Sequence, residues 1–149
     1  MTSRKATVAV LLAVATSALF ACGGQESASE GEDEAVSDAP MVVRLTEPAD
    51  GAVVDNPVRV AFEVEGLIVV PAGEMQPRSG HHHLLVDVDE PAAGTPVPVT
   101  DGYMHFGQGQ TELELELAPG EHRLIALVGD FAHIPLVPNV ADTITIVVR

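Results

Sequence analysis

An all-β fold is predicted for residues 41–149: an immunoglobulin-like antiparallel β-sandwich, with a small β-barrel as the competing architecture. Three observations predict it. Apolar residues recur with period two in short runs, and clusters of Pro, Gly and Asp separate those runs. No amphipathic helical pattern of any length interrupts them. The sandwich lacks the buried Trp and the disulfide of antibody domains, since the chain has no Trp and a single Cys, Cys22.

Taken in order, the first strand is expected near 41–46 and ends at the turn residues Glu47-Pro48-Ala49-Asp50-Gly51. Val58, Val60, Phe62 and Val64 alternate with Arg59, Ala61, Glu63 and Glu65, which gives a second strand one buried face. Short strands are expected near 67–70 and 82–89. Leu113, Leu115 and Leu117 alternate with Glu112, Glu114 and Glu116, the cleanest half-buried pattern in the chain. Leu124 to Val128 is apolar on both faces, as a central strand is. A strand near 133–137 follows. Ile144, Ile146 and Val148 alternate with Thr143, Thr145 and Val147 in the last one. Pro119-Gly120 reads as a tight turn, which would close a hairpin, set Glu116 opposite Arg123 and Leu115 opposite Leu124.

The segment before the domain reads differently. Residues 1–21 form a signal peptide: Arg4 and Lys5 supply charge, and Ala6 to Phe20 is apolar but too short to span a bilayer. Leu19-Phe20-Ala21-Cys22 resembles a bacterial lipobox, so Cys22 is expected to carry the lipid and the membrane to be reached through it. Gly23 after Cys22 favours the outer membrane, with the domain facing the periplasm. Residues 22–40 read as an acidic disordered tether; from 23 onward they hold six acids and one Val, too little apolar surface to offset chain entropy.

Charge excludes further classes. All 22 acids and only 5 Arg lie beyond the leader, a formal charge of −17 with no Lys. A nucleic-acid binder needs a basic face, so nucleic acid is excluded as a partner. One Cys leaves no internal disulfide or CxxC pair, and no GxSxG elbow is present. An enzyme is not expected.

Chemistry concentrates in six histidines, His81, His82, His83, His105, His122 and His133. Imidazole is the commonest metal ligand. Strand parity sends His82 toward the core rim with Leu84 and Val86, and His81 and His83 outward with Leu85 and Asp87. The expected hairpin places His105 and His133 at its open end and His122 at the turn end. The metal set is therefore read as His82, His105 and His133, with His81, His83 and Asp130 as further candidates. Met104 beside His105 would suit copper, and Asp130 with imidazole would suit zinc. The spacing matches no zinc signature, and structural hydrogen bonding is the competing role for these rings.

Several stretches occur in a fixed order: Ser79-Gly80-His81-His82-His83-Leu84-Leu85-Val86-Asp87, His105-Phe106-Gly107-Gln108-Gly109-Gln110-Thr111-Glu112, Pro119-Gly120-Glu121-His122-Arg123-Leu124, Gly129-Asp130, and His133-Ile134-Pro135. Over about 75–148 the chain resembles the DUF4399 family, bacterial secreted domains without an assigned function. The resemblance implies a small β-rich envelope domain and no activity. It also implies histidines where Tyr103 and Leu136 stand here, which leaves His82, His105 and His133 as the set it favours. Pro48-Ala49-Asp50-Gly51-Ala52 looks like the openings of periplasmic copper-carrier sandwiches. The function expected is that of a non-catalytic envelope lipoprotein with a histidine-lined site for copper, zinc or another divalent ion. The alternative is an interaction module for an envelope protein or glycan; no particular protein partner is indicated.

Overall fold

The computed structural model describes residues 39–137 and 140–149. The expected leader, the lipid anchor at Cys22 and nearly all of the acidic tether lie outside the described residues.

The domain is a β-sandwich. Its strands are β1 (Val42–Glu47), β2 (Val53–Val54), β3 (Val58–Glu65), β4 (Ile68–Val69), β5 (Ser79–Val86), β6 (Tyr103–His105), β7 (Glu112–Leu115), β8 (Gly120–Gly129) and β9 (Ala141–Val148). One sheet has the order β1-β3-β7 and is antiparallel throughout. The other has the order β2-β9-β8-β5-β4, with β6 also on β5; only the short β2 and β4 run parallel to their neighbours. No helix occurs among the described residues.

Period-two patterning explains the interior. Val43, Leu45, Val58, Val60 and Phe62 face Leu84, Leu124, Ala126, Val128, Ile144 and Ile146 across the sandwich. Each such fully buried aliphatic side chain contributes about 1.5–3 kcal/mol. β8 is apolar on both faces because its other face is covered too: Ile125 and Leu127 pack with Leu85 and Val97 under the loop that follows β5. That loop makes the outward face of β5 a second, smaller interior.

Three sequence expectations are corrected. β7 and β8 do not form a hairpin: β7 pairs with β3, while β8 pairs with β5 and β9. Pro119-Gly120 instead carries the chain from one sheet to the other. Glu116 therefore does not meet Arg123, whose guanidinium donates to Asp89 Oδ1 at 2.6 Å and to the Val88 carbonyl. Asn56 closes the end of β7 by bonding both backbone groups of Leu117. The expected strand at 133–137 is an irregular segment with a single bridge from Gly129 to Pro135. β5 begins at Ser79 and ends at Val86, before Asp87, whose φ of 58° breaks the extended run.

At the other edge of the domain the Ala39 carbonyl accepts a hydrogen bond from Arg78, whose Nε also donates to the Gly66 carbonyl at 2.8 Å. Arg78 thus ties Ala39 to the loop between β3 and β4.

Candidate metal centre

β5 sets the site because its parity splits three consecutive histidines. His82 shares the inward face with Leu84 and stacks on Phe62, with ring centroids 4.6 Å apart and planes 17° apart. His81 and His83 project from the opposite face. There the register of β6 puts His105 directly across from His83. The loop after β8 brings in His133.

Four imidazoles then meet. The six ring-pair separations among His81, His83, His105 and His133 run from 4.7 to 5.7 Å. His83 Nε2 lies 3.1 Å from His81 Nε2, and His133 Nε2 lies 3.2 Å from His105 Nε2. Ligating atoms of His81, His105 and His133 all fall within 4.8 Å of one another, so these three can hold a metal ion. For imidazole nitrogens about 2.0–2.1 Å from a tetrahedral ion, neighbouring nitrogens lie about 3.3 Å apart. The two close pairs sit near that edge length already.

The backbone is built around these rings. A Cβ on Gly129 would lie 3.0 Å from His83 Nε2 and 3.3 Å from the His133 carbonyl carbon. A Cβ on Gly107 would lie 2.5 Å from His105 Cε1. Only glycine leaves these imidazoles where they are. His133 itself adopts φ 64°, an uncommon conformation for a residue with a side chain. Asp130 holds it there: its Oδ1 accepts the Ala132 and Ile134 N–H groups, and its carbonyl accepts the His133 N–H.

Burial and the neighbouring rings favour the neutral form of His81, His83 and His105. Burial, then the neighbouring His105 and His133, lower the His81 pKa to about 4, with Asp130 opposing. Burial and the other three rings lower His83 to about 3. His105 is lowered as well, by burial and by His133. Neutral imidazole is the form that ligates metal.

His82 is also lowered to about 4, by burial first and then by His81, yet it stands apart from the cluster. Its ring lies against Phe62 in the sandwich interior, and neither nitrogen has a hydrogen-bond partner. Of the set His82, His105 and His133, the structure brings the last two together beside His81 and His83, and leaves His82 on the opposite face of β5. The parity of β5 is legible in the sequence; that the histidines gather on its outward face is not. His105 and His133 do meet, but through β6 pairing with β5 and not through the hairpin from which their proximity was inferred. The glycines at 107 and 129 are the sequence signal for close packing around these rings.

Met104 packs with the interior, so its thioether does not join the rings. The Asp130 oxygen that is engaged serves the loop. His122 is remote: Nδ1 lies 2.7 Å from Asp87 Oδ2 and Nε2 lies 2.8 Å from the Ala118 carbonyl. Both partners accept, so the arrangement favours a ring protonated on both nitrogens. Its pKa is raised, first by the Ala118 carbonyl and then by Asp87. For Asp87, burial works against the charge, but the Arg123 N–H and His122 outweigh it and lower the pKa.

The fold and the site together define a β-sandwich with an imidazole cluster on the outer face of its larger sheet. The model of DUF4399, a domain of unknown function, matches residues 60–149, and the chain belongs to that family. The match runs from β3 to the end of the chain and contains all six histidines. No curated protein and no solved structure matches the chain.

Proposed function

We propose that this protein is a non-catalytic cell-envelope lipoprotein whose His81, His83, His105 and His133 bind one divalent transition-metal ion, copper(II) or zinc. The observation that carries the reading is that ligating atoms of His81, His105 and His133 lie within 4.8 Å of one another, with the Nε2 of His83 3.1 Å from that of His81 and the Nε2 atoms of His105 and His133 3.2 Å apart. A structural role anchored on the backbone would need ring nitrogens bonded to its groups. The Nδ1 atoms of His81 and His83 are buried and bond to none. Packing against glycine, and not an outer ring of hydrogen bonds, orients these rings. An all-nitrogen set suits copper(II), zinc or nickel and lacks the sulfur that favours copper(I).

Calorimetric titration of the metal-free protein with copper(II) and with zinc tests this. One ion per chain is expected, with a rise in Tm that grows with metal concentration. Absence of heat and of a Tm shift with both metals would return these histidines to a structural role. The membrane link rests on Cys22, the one Cys, placed after Leu19-Phe20-Ala21. Cys22→Ser should leave the chain unprocessed or released. Retention of a correctly cleaved Ser variant in the detergent phase would remove the lipid anchor from this reading.

A further inference from the structure

Beside the histidine cluster lies a cavity of about 200 Å³. Its floor includes His83, His105 and His133, and its walls include Val97, Pro98 and Tyr103. His81 is not among its lining residues and is buried. The wall is fixed to the site: the Val97 N–H donates to the His133 carbonyl at 2.9 Å, and Tyr103 Oη donates to the Asp89 carbonyl at 2.8 Å. An ion held by the rings would therefore be shielded on the His81 side and open toward the cavity.

We propose that this cavity admits a small monoanion, which takes an open coordination position on the bound ion. The inference rests on the metal-site reading above. Charge and shape both support it. Four neutral imidazoles leave the double charge of the ion uncompensated in an apolar setting, which is costly. Asp130, which acts on His81 electrostatically, supplies one negative charge. A single further negative charge balances the site. No Asp, Glu, Lys or Arg lines the cavity, so the metal alone recognises the anion, and the valine and proline walls limit it to a few heavy atoms.

The test loads the full chain with copper(II) alone and then titrates it with sodium azide, followed by visible absorption and electron paramagnetic resonance. Expected are an azide-to-copper charge-transfer band and changed copper hyperfine splitting, saturating at one azide per copper. Val97→Phe, which fills the cavity, should keep copper stoichiometry and weaken azide at least about tenfold. Pro98→Trp narrows the same wall from an exposed position and should weaken azide if Val97→Phe fails to fold. Copper binding without an azide response overturns the open position while leaving the metal site intact. Azide binding undiminished in the folded wall variants overturns the cavity as its route. Failure to bind copper at all removes the metal-site reading and this inference together.

Discussion

At one end of the β5–β8 pair, four histidines turn their ring nitrogens toward each other; at the other end, His122 turns both of its nitrogens toward oxygen acceptors. The same side chain is driven in opposite directions. Burial among like rings depresses His81, His83 and His105. A carbonyl and a carboxylate raise His122. The first arrangement presents lone pairs and suits a cation. The second presents protons and ties Asp87, which follows β5, to the start of β8. What an imidazole does is thus decided by the polarity of what faces it, and two groups of histidines in one sheet serve different ends.

Metal affinity should separate the two ends most sharply. His105→Ala and His133→Ala should each weaken copper(II) binding at least about 100-fold, since losing a ligand exceeds the 10–100-fold effect of losing an outer partner. His122→Ala should leave it unchanged within about twofold. Equal losses in calorimetry for His105→Ala and His122→Ala would break the comparison.

Crowding around the rings gives the next effect. Gly129→Ala places a methyl against His83 Nε2 and should cost about 2 kcal/mol in urea unfolding of the metal-free protein. Full stability with full copper binding would show that the rings are not confined as described.

His82 offers a control inside β5 itself. His82→Leu removes two buried, unpartnered nitrogens and should stabilise the fold by about 1 kcal/mol at pH 7.5. Copper affinity should not change. In the metal-free protein the depressed His81, His82 and His83 bind protons more readily when unfolded. Their stability contribution is therefore present above 6.5 and is lost as pH falls toward about 4. His82→Leu should make that acid loss shallower, which urea titrations at about pH 7.5 and about pH 5 would reveal. An unchanged slope would place the acid sensitivity elsewhere.

The opposite sign belongs to His122. Its raised pKa stabilises the fold fully below 6.5, and that stability disappears as pH rises through the higher folded value. His122→Gln should cost about 1 kcal/mol near pH 6 and much less near pH 9. A cost independent of pH would mean that the pair holds through packing and not through the proton.

Much of the fold was legible because burial follows strand parity. The alternation in β3, β7 and β9 gave their buried faces correctly, and the apolar run at 124–128 is the centre of the large sheet. The split of His82 from His81 and His83 was legible for the same reason. Partner choice was not: backbone hydrogen bonding is nearly the same for any strand edge, so nothing in Glu112–Leu115 states that it pairs with β3 instead of β8. Asp130 read as a ligand candidate for a similar reason, because its residue type does not reveal that the backbone of residues 132 and 134 already claims an oxygen.

By itself, then, the sequence determined the all-β class, the strongly acidic balance and which β5 histidines share a side, since composition and period two act residue by residue. The tertiary structure alone decided that the outward side of β5 is covered, that β6 rather than a hairpin delivers His105, and that His81, His83, His105 and His133 gather in one cluster. Those outcomes depend on which distant segments pack together, and that is settled by burying surfaces across the whole domain.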